Sequence, residues 1–395
     1  MNGPGRHACW SARATRWAVI ASAAKQSRSA ARRAFLGRAS LDCFVAALLA
    51  MTAGRRTRLV ALSLPSVLTG CERWPDALDP KAPEAHDIAW LIWTFTGLLG
   101  AIWLAVVIAM LIAIRGGRRV VPPAAGATPL DALALHPAGE RSRTVIVGVL
   151  GGLTALTVLV LTGLSYATQR SLFAPRQEGL SILVTGKQWW WELQYEDADP
   201  SRIVETANEI HVPVNVPVTL KLEASDVIHS LWVPRLMGKE DLIPGRQNVK
   251  RVFVTQPGVY RGQCAEFCGQ QHAHMGLLII AEPMADFERW RDRQRAEAAS
   301  PSNDEEQAGH DAFLKRSCVM CHQIRGTDAG GRSGPDLTHV GSRMTLAAGT
   351  LPLTRGSLAA WIVDPHGVKP GVDMPLTKLE PDELNAIAAY LESLK

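Results

Sequence analysis

Two long runs without one charged residue constrain this chain more than anything else in it: Ile88 to Ile114 and Thr144 to Thr168. Each exceeds the roughly 20 apolar residues needed to cross a hydrocarbon core. A buried helical hairpin of a water-soluble protein would seldom reach such length without a charge, so a membrane hairpin is expected over residues 88–168. The flanks orient it. Arg115, Arg118, Arg119, Arg141 and Arg143 lie between the runs, whereas Asp76, Asp79, Glu84 and Asp87 precede the first. Basic residues favour the cytoplasmic side, which puts the connecting loop there and both flanking parts of the chain outside.

The segment before the hairpin divides at Met51. Residues 1–50 are rich in Arg, Ala and Ser and show no period. From Met51 onward, Arg55, Arg56 and Arg58 precede the apolar stretch LVALSLPSVL and then Leu68-Thr69-Gly70-Cys71. That is the charged, apolar and small-residue order of an export signal. Residues 1–70 are therefore read as a leader region, in which residues 1–50 are either a targeting extension or lie upstream of a true start at Met51, and residues 71–87 as an outward-facing segment. Leu-Thr-Gly-Cys resembles a bacterial lipobox, which would make Cys71 a lipidated first residue. An ordinary signal with an incidental cysteine is the alternative. The net charge of +5 is mild and its excess sits near the start. Nothing beyond that start interleaves basic and aromatic residues as a nucleic-acid surface would.

After the second run the pattern changes to short alternating stretches: SILVTG, QWWWELQY, EIHVPV, PVTLKLEA, NVKRVFVT and GLLIIAE. Pro and Gly fall between them, the mark of an all-β sandwich over residues 169–283. Residues 284–306 read as a helical, highly charged linker with a polar end. The closing PDELNAIAAYLESL is an amphipathic helix with apolar residues three and four apart.

The chemistry sits in two clusters. In CAEFCGQQHAHM, Cys264 and Cys268 lie four residues apart, His272 four further on, and Met275 after it. Two thiolates, an imidazole and a thioether on one loop suit a soft transition metal. His229 stands upstream in DVIHSLWVP, on a strand followed by a loop. One cysteine suffices for a mononuclear blue-copper site, whereas two can bridge a pair of ions. Structural zinc is the competing reading, but it leaves Met275 without a role, and Cys-x3-Cys-x3-His is an unusual zinc spacing. The second cluster is Cys318-Val-Met-Cys321-His322, the attachment signature of a c-type haem. With Cys9 and Cys43 in the leader and Cys71 in the processing motif, the seven cysteines are accounted for and no structural disulfide is expected.

KQWWWELQY, HSLWVP, IPGRQN and GVYRGQCAEFCGQQHAHM together resemble subunit II of the haem-copper cytochrome c oxidases, and residues 307–395 resemble a compact cytochrome c. The resemblance implies a two-helix transmembrane hairpin, an all-β cupredoxin Greek-key sandwich and an all-α c-type cytochrome domain, a caa-type arrangement. It implies a dinuclear copper centre, CuA, with His229, Cys264, Cys268, His272 and Met275 as side-chain ligands and Glu266 through its backbone carbonyl. The Glu266 carboxylate would also reach a magnesium at the interface with subunit I. His211 and His274 are left as surface or supporting histidines. A strand buries only alternate residues, so at least one of Trp189, Trp190 and Trp191 must face outward. The family places the first, Trp189, where electrons come in, although the fused haem domain offers an internal use for that surface. Lys187 stands where the family usually has histidine.

At the haem, His322 is the proximal ligand. Met374, followed by Pro375, is preferred over Met344 as the distal one, because the longer path wraps the chain around the haem edge. Glu140 aligns with the acidic residue at the mouth of the family's K proton path, but Arg143-Thr144 replaces the usual Trp-Thr beyond it. The implied function is electron input to a respiratory oxidase. Electrons would come from a cytochrome c or bc-type complex and pass to subunit I for oxygen reduction coupled to proton pumping. Subunit III and membrane lipid are further expected partners, and the location a bacterial inner membrane with the C-terminal domains on its outer face. The alternatives are a copper–haem subunit of a nitric oxide reductase, and a membrane-anchored copper-binding protein without turnover. A covalent haem counts against the second.

Overall fold

The computed structural model describes residues 76–116, 137–172 and 179–395, with 137–140 described by backbone alone. The readings for the leader, for Cys71 and for the Glu140 side chain lie outside the described residues. Two long helices come first, α1 (Pro83–Arg115) and α2 (Pro137–Leu172). Both are long and apolar enough to cross a membrane. Their large apolar side chains point outward, with Val147 and Leu159 about two-thirds exposed. A helix apolar all round needs a lipid or protein environment. The Ser171 hydroxyl donates to Asp87 Oδ2 at 2.9 Å, so the end of α2 meets the start of α1, as in a hairpin. The first turn of α1 is anchored below: Ala82, Ala85 and Ala89 are buried, and the Lys81 N–H donates to the Arg235 carbonyl at 2.7 Å.

Ten strands follow in two sheets. The first sheet has the order β3 (Val204–Ala207), β2 (Trp190–Tyr195), β1 (Leu180–Lys187), β5 (Pro217–Ala224), β8 (Asn248–Phe253). The second has the order β4 (Glu209–Pro213), β10 (Gly276–Glu282), β9 (Gly258–Cys264), β6 (His229–Trp232), β7 (Glu240–Leu242). The pairs β1·β5 and β4·β10 are parallel, so the chain crosses between sheets rather than meandering, which makes a cupredoxin-like sandwich. Strict alternation of burial along β5 and β2 shows one face of the sheet turned inward. Ile182, Trp191, Leu193, Leu220 and Leu222 of the first sheet share a core with Ile210, Leu231 and Ile279 of the second.

The stretch read as a helical linker is packed instead. Helix α3 (Met284–Arg295) buries Phe287 and Trp290 in the sandwich core. These two residues are three apart on one helical face. Trp290 stacks on His211 at 4.1 Å between ring centroids. This accounts for His211, whose Nδ1 is also paired with Glu282 at 2.9 Å.

The last domain is built on α4 (Asp304–Lys315) and α7 (Pro381–Ser393), joined by α5 (Arg355–Val363) and the single turn α6 (Pro365–Val368). Gly309 of α4 lies where any Cβ would collide with the Ala386 carbonyl of α7, so the two helices cross at backbone contact. A second core forms here from Phe313, Ile324, Leu358, Ile387, Tyr390 and Leu394. The domain is not purely helical. A short hairpin, β11 (Thr345–Leu346) with β12 (Leu351–Pro352), projects from it.

Candidate functional site

The metal-ligating residues come from three neighbouring places in the second sheet. His229 opens β6, Cys264 closes β9, and the loop to β10 carries the rest. Backbone bonds fix that loop: the Cys264 N–H donates to the Met275 carbonyl and the Ala265 N–H to the Ser230 carbonyl, each at 2.9 Å. Two glycines make room. A Cβ on Gly186 would press into the His229 ring at 2.8 Å, and one on Gly269 would meet the Gln188 amide at 2.9 Å.

The two sulfurs, Cys264 Sγ and Cys268 Sγ, lie 3.7 Å apart, far beyond the roughly 2.05 Å of a disulfide. Cys264 Sγ is 4.0 Å from His229 Nδ1 and 3.2 Å from the Glu266 carbonyl oxygen. Cys268 Sγ is 3.8 Å from His272 Nδ1 and 3.8 Å from Met275 Sδ. Donors about 2.0–2.3 Å from one ion at tetrahedral angles lie roughly 3.5–3.8 Å apart. Each sulfur thus has its own imidazole as neighbour, and the two sulfurs face each other. That donor set fits two soft ions bridged by two thiolates, and it uses the thioether that zinc would leave idle. His229, Cys264 and Cys268 are all buried and mutually within 4.8 Å.

Groups around the ligands aim them. His229 Nε2 donates to Asp226 Oδ1 at 2.8 Å, so Nδ1 carries the lone pair toward Cys264, the usual role of a carboxylate behind a ligating histidine. Asp226 Oδ2 in turn accepts the Gln188 N–H at 2.6 Å. The Cys268 carbonyl accepts from Gln188 Nε2 at 2.7 Å and from Trp189 Nε1 at 2.9 Å. A hydrogen bond from Cys268, aided by His229, pulls Cys264 down to about 3, while the bond to Cys264 and burial push Cys268 up. Burial would lower His229, but hydrogen bonds to Cys264 and Asp226 outweigh it and raise its pKa. The Glu266 side chain points away from the sulfurs to Lys239 Nζ, 3.2 Å off, at an exposed rim.

In the second cluster, Cys318 lies on a 3-10 turn (Ser317–Met320), with Cys321 and His322 directly after it. His322 Nδ1 donates to the Pro335 carbonyl at 2.8 Å, leaving Nε2 as the ligating nitrogen. A Cβ on Gly334 would sit 2.7 Å from the His322 ring, which explains the glycine of GPDL. Burial lowers the His322 pKa, favouring the neutral imidazole that metals bind. Cys318, Cys321, His322 and Met374 line one cavity of about 310 Å³, walled by Leu337, Val340, Leu346, Ile387 and Leu391. Met344 does not line it and is half exposed. Arg343 does, and its Nε has no hydrogen-bond partner among the described residues. An apolar hollow with two thiols, one imidazole and a spare guanidinium N–H at its wall fits a haem and its carboxylates.

Trp190 and Trp191 alternate on β2 as a strand requires, while Trp189 lies in the turn between β1 and β2. Trp191 is fully buried in the sandwich, and Trp190 is half-buried under Lys187, 5.0 Å from its ring. Trp189 is not exposed: only 9% accessible, it lines the same cavity as His322. Sequence reasoning missed what covers it. Lys369 and Glu209 are both buried charged residues at this junction, and no periodicity marks either of them.

The family described as "Cytochrome C oxidase subunit II, periplasmic domain" matches residues 198–282, and "Cytochrome c" matches residues 306–395. The cytochrome c oxidase subunit 2 of Alkalihalophilus pseudofirmus is 34% identical over 354 residues, 87% of this chain and 98% of the relative. That of Bacillus sp. (strain PS3) is 31% identical over 249 residues, 60% of this chain and 68% of the relative. Among solved structures, the periplasmic domain of subunit II of cytochrome oxidase of Bradyrhizobium japonicum aligns at 32% identity. It covers 31% of this chain and 96% of that one, with a TM-score of 0.29.

Proposed function

Because this chain belongs to the cytochrome c oxidase subunit II family, we propose that it is the electron-input subunit of a respiratory haem-copper oxidase. It would relay electrons from a cytochrome c or bc-type donor to subunit I, where oxygen is reduced to water with proton pumping. When bound, the haem c and a dinuclear copper pair supply two one-electron carriers that no side chain can replace. The observation that carries this reading is the pair of buried, facing sulfurs with two imidazoles, a thioether and a carbonyl oxygen around them.

The residues then take defined roles. Cys264 and Cys268, as thiolates, would hold the coppers together with His229, His272, Met275 and the Glu266 carbonyl. Asp226 orients His229, and burial of both sulfurs limits the water that would reorganise when charge moves. Cys318 and Cys321 would tether the haem, and His322 and Met374 would ligate its iron. The exposed Glu266 carboxylate is available to a magnesium shared with subunit I. Helices α1 and α2 would hold both redox domains on the outer face of a bacterial inner membrane, beside subunits I and III and the surrounding lipid.

Electron paramagnetic resonance on the purified oxidase tests this. The expected result is a many-line, low-splitting signal of a mixed-valence copper pair, abolished by Cys264→Ser. A single-copper spectrum, or a zinc-filled site, would overturn the reading.

A further inference from the structure

The junction between the haem domain and the sandwich carries more than the ligands require. The β11–β12 hairpin reaches onto the copper domain. Its leading edge is held by Glu209 of β4, a residue only 3% exposed. One Glu209 carboxylate accepts the Met344 N–H at 2.9 Å, the Thr345 N–H at 2.8 Å and the Thr345 hydroxyl at 3.0 Å. All three donors belong to the other domain. At the tip, the Ala348 carbonyl accepts the Gly276 N–H at 2.9 Å. Gly276 has no side chain to obstruct this approach, since a Cβ there would lie 3.1 Å from the Ala348 oxygen. Ala347 and Ala348 hold φ of 51° and 56°, a left-handed conformation that non-glycine residues adopt at a cost. The tip is thus shaped for contact.

The other side of the junction reverses the direction. Lys369 of the haem domain is 2% exposed. Its Nζ donates to the Trp189 carbonyl at 2.8 Å and to the Ala347 carbonyl at 3.1 Å. The adjacent Pro370 carbonyl accepts from Gln271 Nε2 at 2.7 Å, and a Cβ on Gly371 would lie 3.7 Å from the Trp189 ring. Each domain therefore sets a buried, hydrogen-bonded ionisable side chain against the other. A buried charge without its hydrogen-bond partners is strongly destabilising, so pulling the domains apart must either hydrate both groups or strand them.

We propose that Glu209 and Lys369 are positioning residues that, with the hairpin Thr345–Pro352, lock the haem domain on the copper domain. The haem cavity is then permanently open onto Trp189, and Trp189 is closed to any separate donor. This rests on the copper and haem assignment above. Trp189 joins the two centres structurally, since its ring lines the haem cavity and its Nε1 bonds the carbonyl of Cys268. A donor protein would then meet the haem domain, and transfer to copper would need no docking step. The transfer itself is a one-electron oxidation of the haem iron balanced by a one-electron reduction of the copper pair.

The test is the rate of haem-to-copper electron transfer after flash reduction, in the assembled oxidase at low and high salt. A locked junction predicts one kinetic phase that salt leaves unchanged, because groups hydrogen-bonded inside a buried interface are little screened. Glu209→Ala should slow the transfer on the order of tenfold to hundredfold and make it multiphasic. Glu209→Gln keeps an acceptor oxygen and should restore most of the rate. Lys369→Met should slow it less than Glu209→Ala. The copper resonance and haem absorption should stay unchanged throughout, and hydrogen exchange should show loss of protection at the Met344 and Thr345 amides in Glu209→Ala alone.

A salt-dependent rate in the wild type would overturn the proposal, because docking would then be transient. So would wild-type, single-phase kinetics in Glu209→Ala and Lys369→Met with the copper pair intact. If Glu209→Ala does not accumulate, Glu209→Gln decides: unprotected Met344 and Thr345 amides with an unchanged rate would sink the lock. A wild-type oxidase lacking the copper pair would instead remove the functional reading beneath it.

Discussion

The copper loop and the haem loop are built on opposite plans. The residues expected to hold copper are already assembled: Cys264, Cys268, Met275 and His229 are at most 3% exposed, His272 is half-buried, and backbone bonds close the loop on itself. The haem residues surround a hollow. Cys318, Cys321 and Met374 are only half-buried, around a cavity of about 310 Å³. The sandwich thus brings its donors together through its own backbone bonds, whereas the cytochrome domain arranges its residues around a volume that a haem would fill.

This contrast can be broken most decisively at the haem. The double variant Cys318→Ala, Cys321→Ala should lose the covalent haem and with it the folded state of residues 304–395. Limited proteolysis should digest that region and spare the sandwich, with the copper resonance retained. A protease-resistant haem-free domain would show that the cofactor is not its core.

Cys264→Ser should do the reverse. It should eliminate the copper pair while leaving the sandwich folded, at a cost of about 1–3 kcal/mol for a changed buried polar group, read from the melting temperature. Global unfolding of the sandwich would show that the loop is not preformed.

Smaller effects sharpen the picture at single ligands. Met374→His should remove the absorption band near roughly 700 nm and lower the haem potential, since thioether ligation raises it. Met344→Leu should change neither, because its sulfur lies outside the cavity and the groups it engages are its backbone N–H and carbonyl. Asp226→Asn should be mildest. It keeps His229 but loosens its orientation, and copper affinity should fall about 10- to 100-fold, measured by competition with a chelator.

Local pattern made much of this legible in the sequence. PVTLKLEA alternates in burial as its residues alternate in polarity, and the two uncharged runs are the two long helices. The copper loop and the haem signature were readable because their ligands are close in sequence. Trp189 was harder. It lies in the turn before β2 and not on the strand, and its cover comes from residues 369–372, some 180 positions away. The helix at 284–295 looked like a linker because charge dominates its composition, while two aromatics, Phe287 and Trp290, decide its packing. Glu209, Lys369 and the hairpin after Met344 carried no signal at all. A contact between two domains leaves no period in either.

Whether a single chain holds one haem and a thiolate-bridged copper pair is tested directly by metal analysis of the purified oxidase with a copper-depleted subunit I, read together with its resonance spectrum. The expected result is two coppers for each haem c iron and a mixed-valence signal in which the unpaired electron is shared by both ions. One copper per haem c with a single-ion spectrum would contradict it.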